Sequence, residues 1–267
     1  MINAFKVYLA YISVSIRSQM QYRASFIMQT LGQFLINGIE FFGIWALFNR
    51  FENLAGWSLA EVALLYGMVN SAFALTDATS RGFDLFGNMV KSGDFDRLLL
   101  RPRSTALQLA GQELTLKRVG RFMQGFVVLI WASQTLGIEW TVGKTFFLAC
   151  SILGGSCFFY GLLVLQATAA FWTTESLELA NITTYGGVET ASYPMKIYKP
   201  WFRKFFTYVL PLAFVNYYPA TAITGKTTDM AVPDFVLYGS PVVGLIFLTI
   251  ALQFWKVGVR HYRSTGS

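Results

Sequence analysis

The sequence predicts an all-α integral membrane protein with six transmembrane helices and an N-terminal interfacial helix, on three observations. Of its 267 residues 54% are hydrophobic and only 13% charged, whereas soluble domains carry about 25% charged residues. Apolar runs recur at the length a bilayer demands, about 20 residues each, and six of them use most of the chain, so one polytopic domain is expected. Basic residues collect between the runs: eight of the 21 lie from Arg81 to Arg121, which marks that side as cytoplasmic. The net charge of +7 is thereby ascribed to membrane flanks, and no nucleic acid is expected as a partner.

Residues 1–22 place Ile2, Phe5, Leu9, Ile12 and Ile16 at near-helical spacing with Lys6, Ser13, Arg17 and Gln21 between them, the pattern of a helix lying in the interface. No small-residue cleavage site follows, so the segment is expected to be retained. The first span is 24–48, where Gln29, Gln33, Asn37 and Glu40 step by four, four and three along one side of the helix, a polar face that should look into the protein. The second is 59–80, carrying Asn70 and Asp77.

The segment 81–104 ends in the most charged run of the chain, Gly93-Asp94-Phe95-Asp96-Arg97-Leu98-Leu99-Leu100-Arg101-Pro102. Two acids and two arginines within ten residues belong at or outside the membrane surface, and Pro102 stops a helix at Arg101. The reading is a short amphipathic element with leucines on one side and charges on the other, a docking surface for a soluble partner.

The third span covers 107–138, apolar from Phe122 to Leu136 and led in by Lys117, Arg118 and Arg121; the fourth covers 144–172, with Gly154, Gly155 and Gly161 expected to permit close helix packing. Residues 173–226 leave two topologies open. Either 176–193, polar through Glu178, Asn181, Thr183, Thr184 and Glu189, is the fifth span and 205–223 dips into the outer leaflet, or the basic cluster Lys196, Lys199, Arg203, Lys204 is cytoplasmic and 205–223 is the span. Charge bias alone favours the second. Both end with a sixth span at 235–256, and six spans put both termini in the cytoplasm. Cys150 and Cys157, seven residues apart on one helix, are separated by about 10 Å and cannot bridge. His261 is the one histidine and has no companion ligands in the sequence.

Three motifs carry a resemblance: Gly93, Asp96, Leu99, Leu100, Arg101 and Pro102 in a Gly-x-x-Asp-x-x-Leu-Leu-Arg-Pro segment; Tyr193-Pro194 through Ile197-Tyr198, then Leu210-Pro211 and Asn216-Tyr217-Tyr218-Pro219-Ala220; and the tail Tyr262-Arg263-Ser264-Thr265-Gly266. With the six-span layout, the chain resembles the permease subunits of type-2 ABC exporters, specifically a branch of bacterial transport permeases. The resemblance implies a half-transporter of the bacterial cytoplasmic membrane. It would pair with a second permease, identical or related, above two copies of a separate ABC ATPase, which hold ATP and Mg; no cofactor is expected in this chain. It implies that 81–104 carries a cytoplasmic coupling helix, and that 195–225, punctuated by Pro194, Pro211 and Pro219, forms outer re-entrant helices, which selects the first topology against the charge count.

Within the coupling segment Gly93 and Pro102 bound the element, Asp94, Asp96, Arg97 and Arg101 are expected to make ion pairs with the ATPase, and Leu98, Leu99 and Leu100 to be its buried anchor. The substrate path is expected to involve Gln33, Asn37, Glu40, Glu178 and Glu189. Amides in spans also serve as interhelical hydrogen bonds, but an ionised acid in hydrocarbon costs at least ~2.5 kcal/mol and has a reason to be there. Ala220 to Thr227 looks like a phosphate-binding loop but has alanine where its first glycine belongs, so the chain is expected to be no enzyme. The alternative, an ion-coupled carrier or channel, requires paired buried charges or an inverted repeat, and neither is legible. An intramembrane enzyme lacks a Ser-His, Cys-His or His-x-x-x-His set.

Overall fold

Helix α1 (Ala4–Met20) is separated by a two-residue turn from α2 (Arg23–Arg50). The computed structural model describes residues 4–173, 176–226 and 233–263, and the side chains of all of these except 4–5, 176–183 and 234. Among the described residues the chain is helical, with no strand. Ser58 starts the central helix, α3 (Leu59–Thr79): its hydroxyl accepts from the Glu61 amide at 3.4 Å and the Ser58 amide donates to Glu61 Oε2 at 2.7 Å, a reciprocal cap that satisfies two orphan donors. From Val62 to Ala74 every residue of α3 is buried. A helix buried all round is packed by neighbours on every side, and α3 is the post against which the others stand.

Three short helices follow it, α4 (Arg81–Asp84), α5 (Phe86–Ser92) and α6 (Phe95–Leu99), then α7 (Thr105–Gln112). The expected span at 107–138 is not one helix. It is α7, a 3-10 turn at Leu116–Arg118, and α8 (Val119–Thr135), broken where Glu113 is extended. The break is held from α1: Ser15 Oγ donates to the Leu114 carbonyl at 3.1 Å, and Gln19 donates to the same carbonyl and accepts from the Leu116 amide. Side-chain bonds from another helix thus replace the intrahelical ladder at its weakest stretch.

Helix α9 (Val142–Ala169), capped by Thr141 Oγ1 accepting from the Lys144 amide at 3.2 Å, is followed by α10 (Ser176–Ala191). Residues 195–226 are irregular: 3-10 turns at Met195–Ile197 and Leu212–Phe214, α11 (Pro200–Lys204) continuing as a π-helical turn Phe205–Val209, and α12 (Tyr217–Thr224). The last helix, α13 (Asp234–His261), runs parallel to α9, with Gly154 against Pro241 and Gly244, Gly161 against Phe247 and Leu248, and Thr168 against Gly258. Gly154 and Gly161 thus lie at the helix contact expected of them, while Gly155 meets Ala72 and Val215.

Among the described residues four helical stretches are long and apolar enough to cross a membrane: Arg23–Arg50, Leu59–Thr79, Val142–Ala169 and Phe235–His261. Helices also stand where the third and fifth spans are expected, but α8 has 17 residues and α10 has 16. The core divides into two. One cluster surrounds the start of α3 with Trp57, Tyr66, Val188, Leu212, Tyr217 and Tyr218. The other gathers Phe83, Phe86, Phe95, Leu98, Leu109 and Trp255 beyond its end.

The two ends of α3 separate the chain's two irregular regions. The helix is about 30 Å long. Helices α4–α6 leave its C-terminal end, and residues 212–226 pack against its N-terminal end, where Tyr217 meets Trp57 at a tilt with centroids 5.5 Å apart and Lys226 binds Glu61. Helix α10 connects the levels, from Thr184 bonded to Gln166 near the end of α9 to the Ala191 carbonyl bonded by Asn216. The basic cluster from Lys196 to Lys204 therefore lies at the opposite end of the bundle from 81–104.

Candidate functional site

The charged run after α3 is a finger with two different faces. Gly93, at φ 74°, closes α5 in the left-handed conformation and turns the chain into α6; a side chain there would be strained. Helix α6 stops at Leu99, three residues short of Pro102, in keeping with the stop that proline imposes. The leucine triplet does not face one way. Phe95 and Leu98 are buried in the chain's own core, whereas Leu99 is partly exposed and Leu100 is 85% exposed. A one-turn helix cannot present three consecutive residues to one side, because each step rotates by about 100°. Leu98 is therefore a root of the finger, a correction to its expected place in a partner-facing anchor. Around Leu100 the exposed face carries Asp94, Arg97, Arg101 and Pro102. Asp94 accepts from Ser92 Oγ at 2.7 Å and stands 3.5 Å from Arg97 in an exposed pair, worth little by itself. Asp96, half-buried, is on the other side of α6.

The root is aromatic. Phe95 meets Phe86 edge-on at 5.0 Å, Tyr262 at 4.9 Å and Phe171 at 5.5 Å, and Phe86 meets Trp255 at 4.8 Å. Trp255 also donates its indole N–H to Thr105 Oγ1 at 3.0 Å. Edge-to-face pairs each add about 0.5–1.5 kcal/mol beyond burial, and these rings come from the finger, the end of α9 and the last turns of α13. Buried Gln108 ties the finger to α7, donating to the carbonyls of Leu98 and Arg103, each at 3.1 Å. Replacing Gln108 with leucine is expected to lower stability by about 1–3 kcal/mol through the stranded carbonyls, measured as a fall in the thermal unfolding midpoint of the detergent-solubilised protein.

The substrate-path residues are not all in one place. Gln33 Oε1 accepts from Arg118 at 3.1 Å, and Asn37 is buried with its amide on the Gln33 carbonyl. Both act within and between helices. Glu40 and Glu189 are exposed carboxylates on α2 and α10. The side chain of Glu178 lies outside the described residues, as do Ser264, Thr265 and Gly266 of the tail motif. The structure adds a group of charges that the sequence reading had not joined. Asp77, buried, and Arg118, mostly buried, form an ion pair at 2.8 Å. Arg121, also buried, donates Nε to Asn70 Oδ1 at 2.9 Å and lies over the Phe73 ring at 4.7 Å. Tyr66 donates to the Asn37 carbonyl at 2.9 Å, and its hydroxyl lies 3.4 Å from Gln124 Oε1. The signal was present: Asn70 and Asp77 are seven residues apart, one face of α3, and Arg118 and Arg121 are three apart beside an apolar run. What the sequence could not give was that these two faces meet.

Lys226, in the segment that looked like a phosphate loop, is held elsewhere. Its ammonium donates to both Glu61 carboxylate oxygens and to the Gly56 carbonyl, each at 2.7 Å, and lies over the Trp57 ring at 4.6 Å. Residues 220–224 ahead of it are helical, without the backbone cradle that phosphate binding needs. Of the prolines in this region, Pro194 is buried at the end of α10, Pro211 precedes a 3-10 turn, and Pro219 sits in the first turn of α12, where a missing N–H costs nothing.

A family model described as ABC-2 family transporter protein matches residues 34–266. The chain belongs to that family. The match takes in the finger, the Asp77–Arg118 and Glu61–Lys226 pairs and the irregular segment, and it leaves out α1 and the start of α2 through Gln33. No curated protein and no solved structure gives a significant match. As an ABC-2 transporter protein the chain is a multi-pass membrane component whose partner is an ABC ATPase. The paired buried charge that an ion-coupled carrier requires is present in Asp77 and Arg118, but in this ABC-2 protein it joins α3 to the turn before α8.

Proposed function

We infer that this chain is the permease half of an ATP-driven exporter. It spans the bacterial cytoplasmic membrane six times with both termini in the cytoplasm, using α8 and α10 as its third and fifth crossings, and it pairs with a second permease above two ATPase subunits that hold ATP and Mg. The chain makes and breaks no bonds. It converts closure of the ATPases into a change of helix packing, and a ligand shifts such an equilibrium only by its difference in affinity for the two states.

The observation that carries this reading is the finger: Leu100, 85% exposed and ringed by Asp94, Arg97 and Arg101, stands on a base buried to 7% or less. An apolar tip on a rigid root suits insertion into a partner, and its charged rim suits orientation of that partner. Force on the tip would reach α9 and α13 through the aromatic cluster and α3 through the chain itself, rather than α2 and α10 directly. Glu40 and Glu189, with Gln33 and Asn37, remain the proposed substrate path, because exposed carboxylates at membrane depth require water or a partner beside them. The outer re-entrant reading of 195–225 is supported by its position at the far end of α3.

The test is co-purification. Leu100→Glu and Arg101→Ala, each in the tagged full-length permease, are expected to reduce recovery of the ATPase by about tenfold or more with membrane insertion unchanged. Unchanged recovery would remove the docking assignment. Reconstituted without the ATPase, the permease is expected to show no flux, and sustained flux would support an ion-coupled carrier instead.

A further inference from the structure

The segment at the far end of the bundle from the finger combines two features. It is basic: Lys199, Arg203 and Lys204 lie in a stretch with no acidic residue from 190 to 228. Among the described residues, Lys199, Arg203 and Lys204 have no carboxylate within 4 Å. It is also apolar on an open side. Pro200 starts a helix that turns Phe202 and Phe206 inward, in tilted contact at 4.4 Å, with Tyr198 stacked on Phe202 at 4.8 Å. The same turns leave Trp201 at 67%, Phe205 at 40%, Tyr208 at 75% and Val209 at 62% exposure. The spacing of 201, 205, 208 and 209 is one helical stripe.

A strip of exposed aromatic side chains flanked by lysine and arginine is the composition of a helix lying in the plane of a bilayer interface. Its place is unusual, because basic residues are depleted on the side away from the cytoplasm, and here three are exposed or half-exposed at the end opposite the cytoplasmic finger. Tyr198 anchors the strip by donating to the Thr190 carbonyl at 3.1 Å, and Phe206 and Leu210 pack on the main core, so the charges are carried on a fixed support.

We propose that residues 199–209 bind anionic phospholipid headgroups at the outer face of the bilayer, with Trp201, Phe205 and Tyr208 seated among the acyl chains and Lys199, Arg203 and Lys204 on the phosphates. The occupant follows from charge complementarity and from the aromatic stripe, which a free anion would not use. The site fastens the irregular segment to the membrane surface while the other end of the bundle is moved by its partner. The inference rests on the end of the bundle at which the segment lies and does not require the ATPase.

The experiment titrates the full-length permease in detergent with short-chain phosphatidylglycerol, with phosphatidylcholine and with inorganic phosphate. Bound lipid is counted by native mass spectrometry and the unfolding midpoint is recorded. Phosphatidylglycerol is expected to bind in preference to phosphatidylcholine and to weaken with salt. Lys199→Gln/Arg203→Gln/Lys204→Gln should lower its affinity by about fivefold per charge removed, about a hundredfold in all. Lys6→Gln/Arg17→Gln/Lys256→Gln, an equal loss of charge on other elements, should leave it within about twofold, and Lys199→Arg/Lys204→Arg should retain it. Equal loss in the two triple variants, competition by millimolar phosphate, or salt-insensitive binding by the unmodified protein would each overturn the proposal, the last independently of whether any variant folds.

Discussion

Asp77→Ala is expected to destabilise the protein by about 3–5 kcal/mol, because it leaves the Arg118 guanidinium buried without its counter-charge. The pair closes at 2.8 Å, with Asp77 7% and Arg118 17% exposed in their side chains, so solvent does little to replace the lost partner. Arg118 also holds Gln33 on α2, and the variant should loosen the junction of α2, α3 and α8 together. Removing both charges is expected to be milder than the sum of the single changes, since the desolvation cost disappears with the second charge. A double-mutant cycle on Asp77→Ala and Arg118→Ala, read by unfolding in detergent, measures this. Additive single effects would show that the two side chains do not act as a pair.

Gly244→Leu is expected to have an effect of similar size, by a different route. A side-chain carbon at Gly244 would overlap the Gly154 carbonyl, which is backbone and cannot rotate away. The parallel helices α9 and α13 must then part along their contact, and overpacking of this kind costs about 1–3 kcal/mol or more. The separation would extend to Trp255 and Phe171 at the finger's root. Gly239, five residues earlier on α13, has nothing within 4 Å of the corresponding position, so Gly239→Ala should be neutral or stabilising by up to about 1 kcal/mol from helix propensity. Comparable losses at 239 and 244 would mean that α13 does not pack on α9 through Gly154.

Composition and periodicity were enough to read a helical membrane protein, to find the four long apolar helices, and to single out Gly93–Pro102 as the run least suited to hydrocarbon. They are local properties: hydropathy averages over about 20 neighbours, and a proline stop acts on the preceding residue. The break between α7 and α8 was not legible, because it is held by Ser15 and Gln19, about 95–100 residues away in sequence.

Which leucine of the triplet turned inward also depended on a distant partner. Leu98 and Phe95 are buried because Trp255 and Tyr262, at the other end of the chain, stand over them. Charge bias, a statistical preference of short loops, favoured a cytoplasmic level for the basic cluster from Lys196 to Lys204. Contacts of Tyr217 with Trp57 and of Lys226 with Glu61 set it at the start of α3. The sequence by itself determined which segments leave water and where helices stop, since those are free energies of single residues and their near neighbours. Only the tertiary structure decided which charges pair, which leucine is offered to a partner and which end of the bundle each irregular segment joins, because those depend on contacts between residues far apart in the chain.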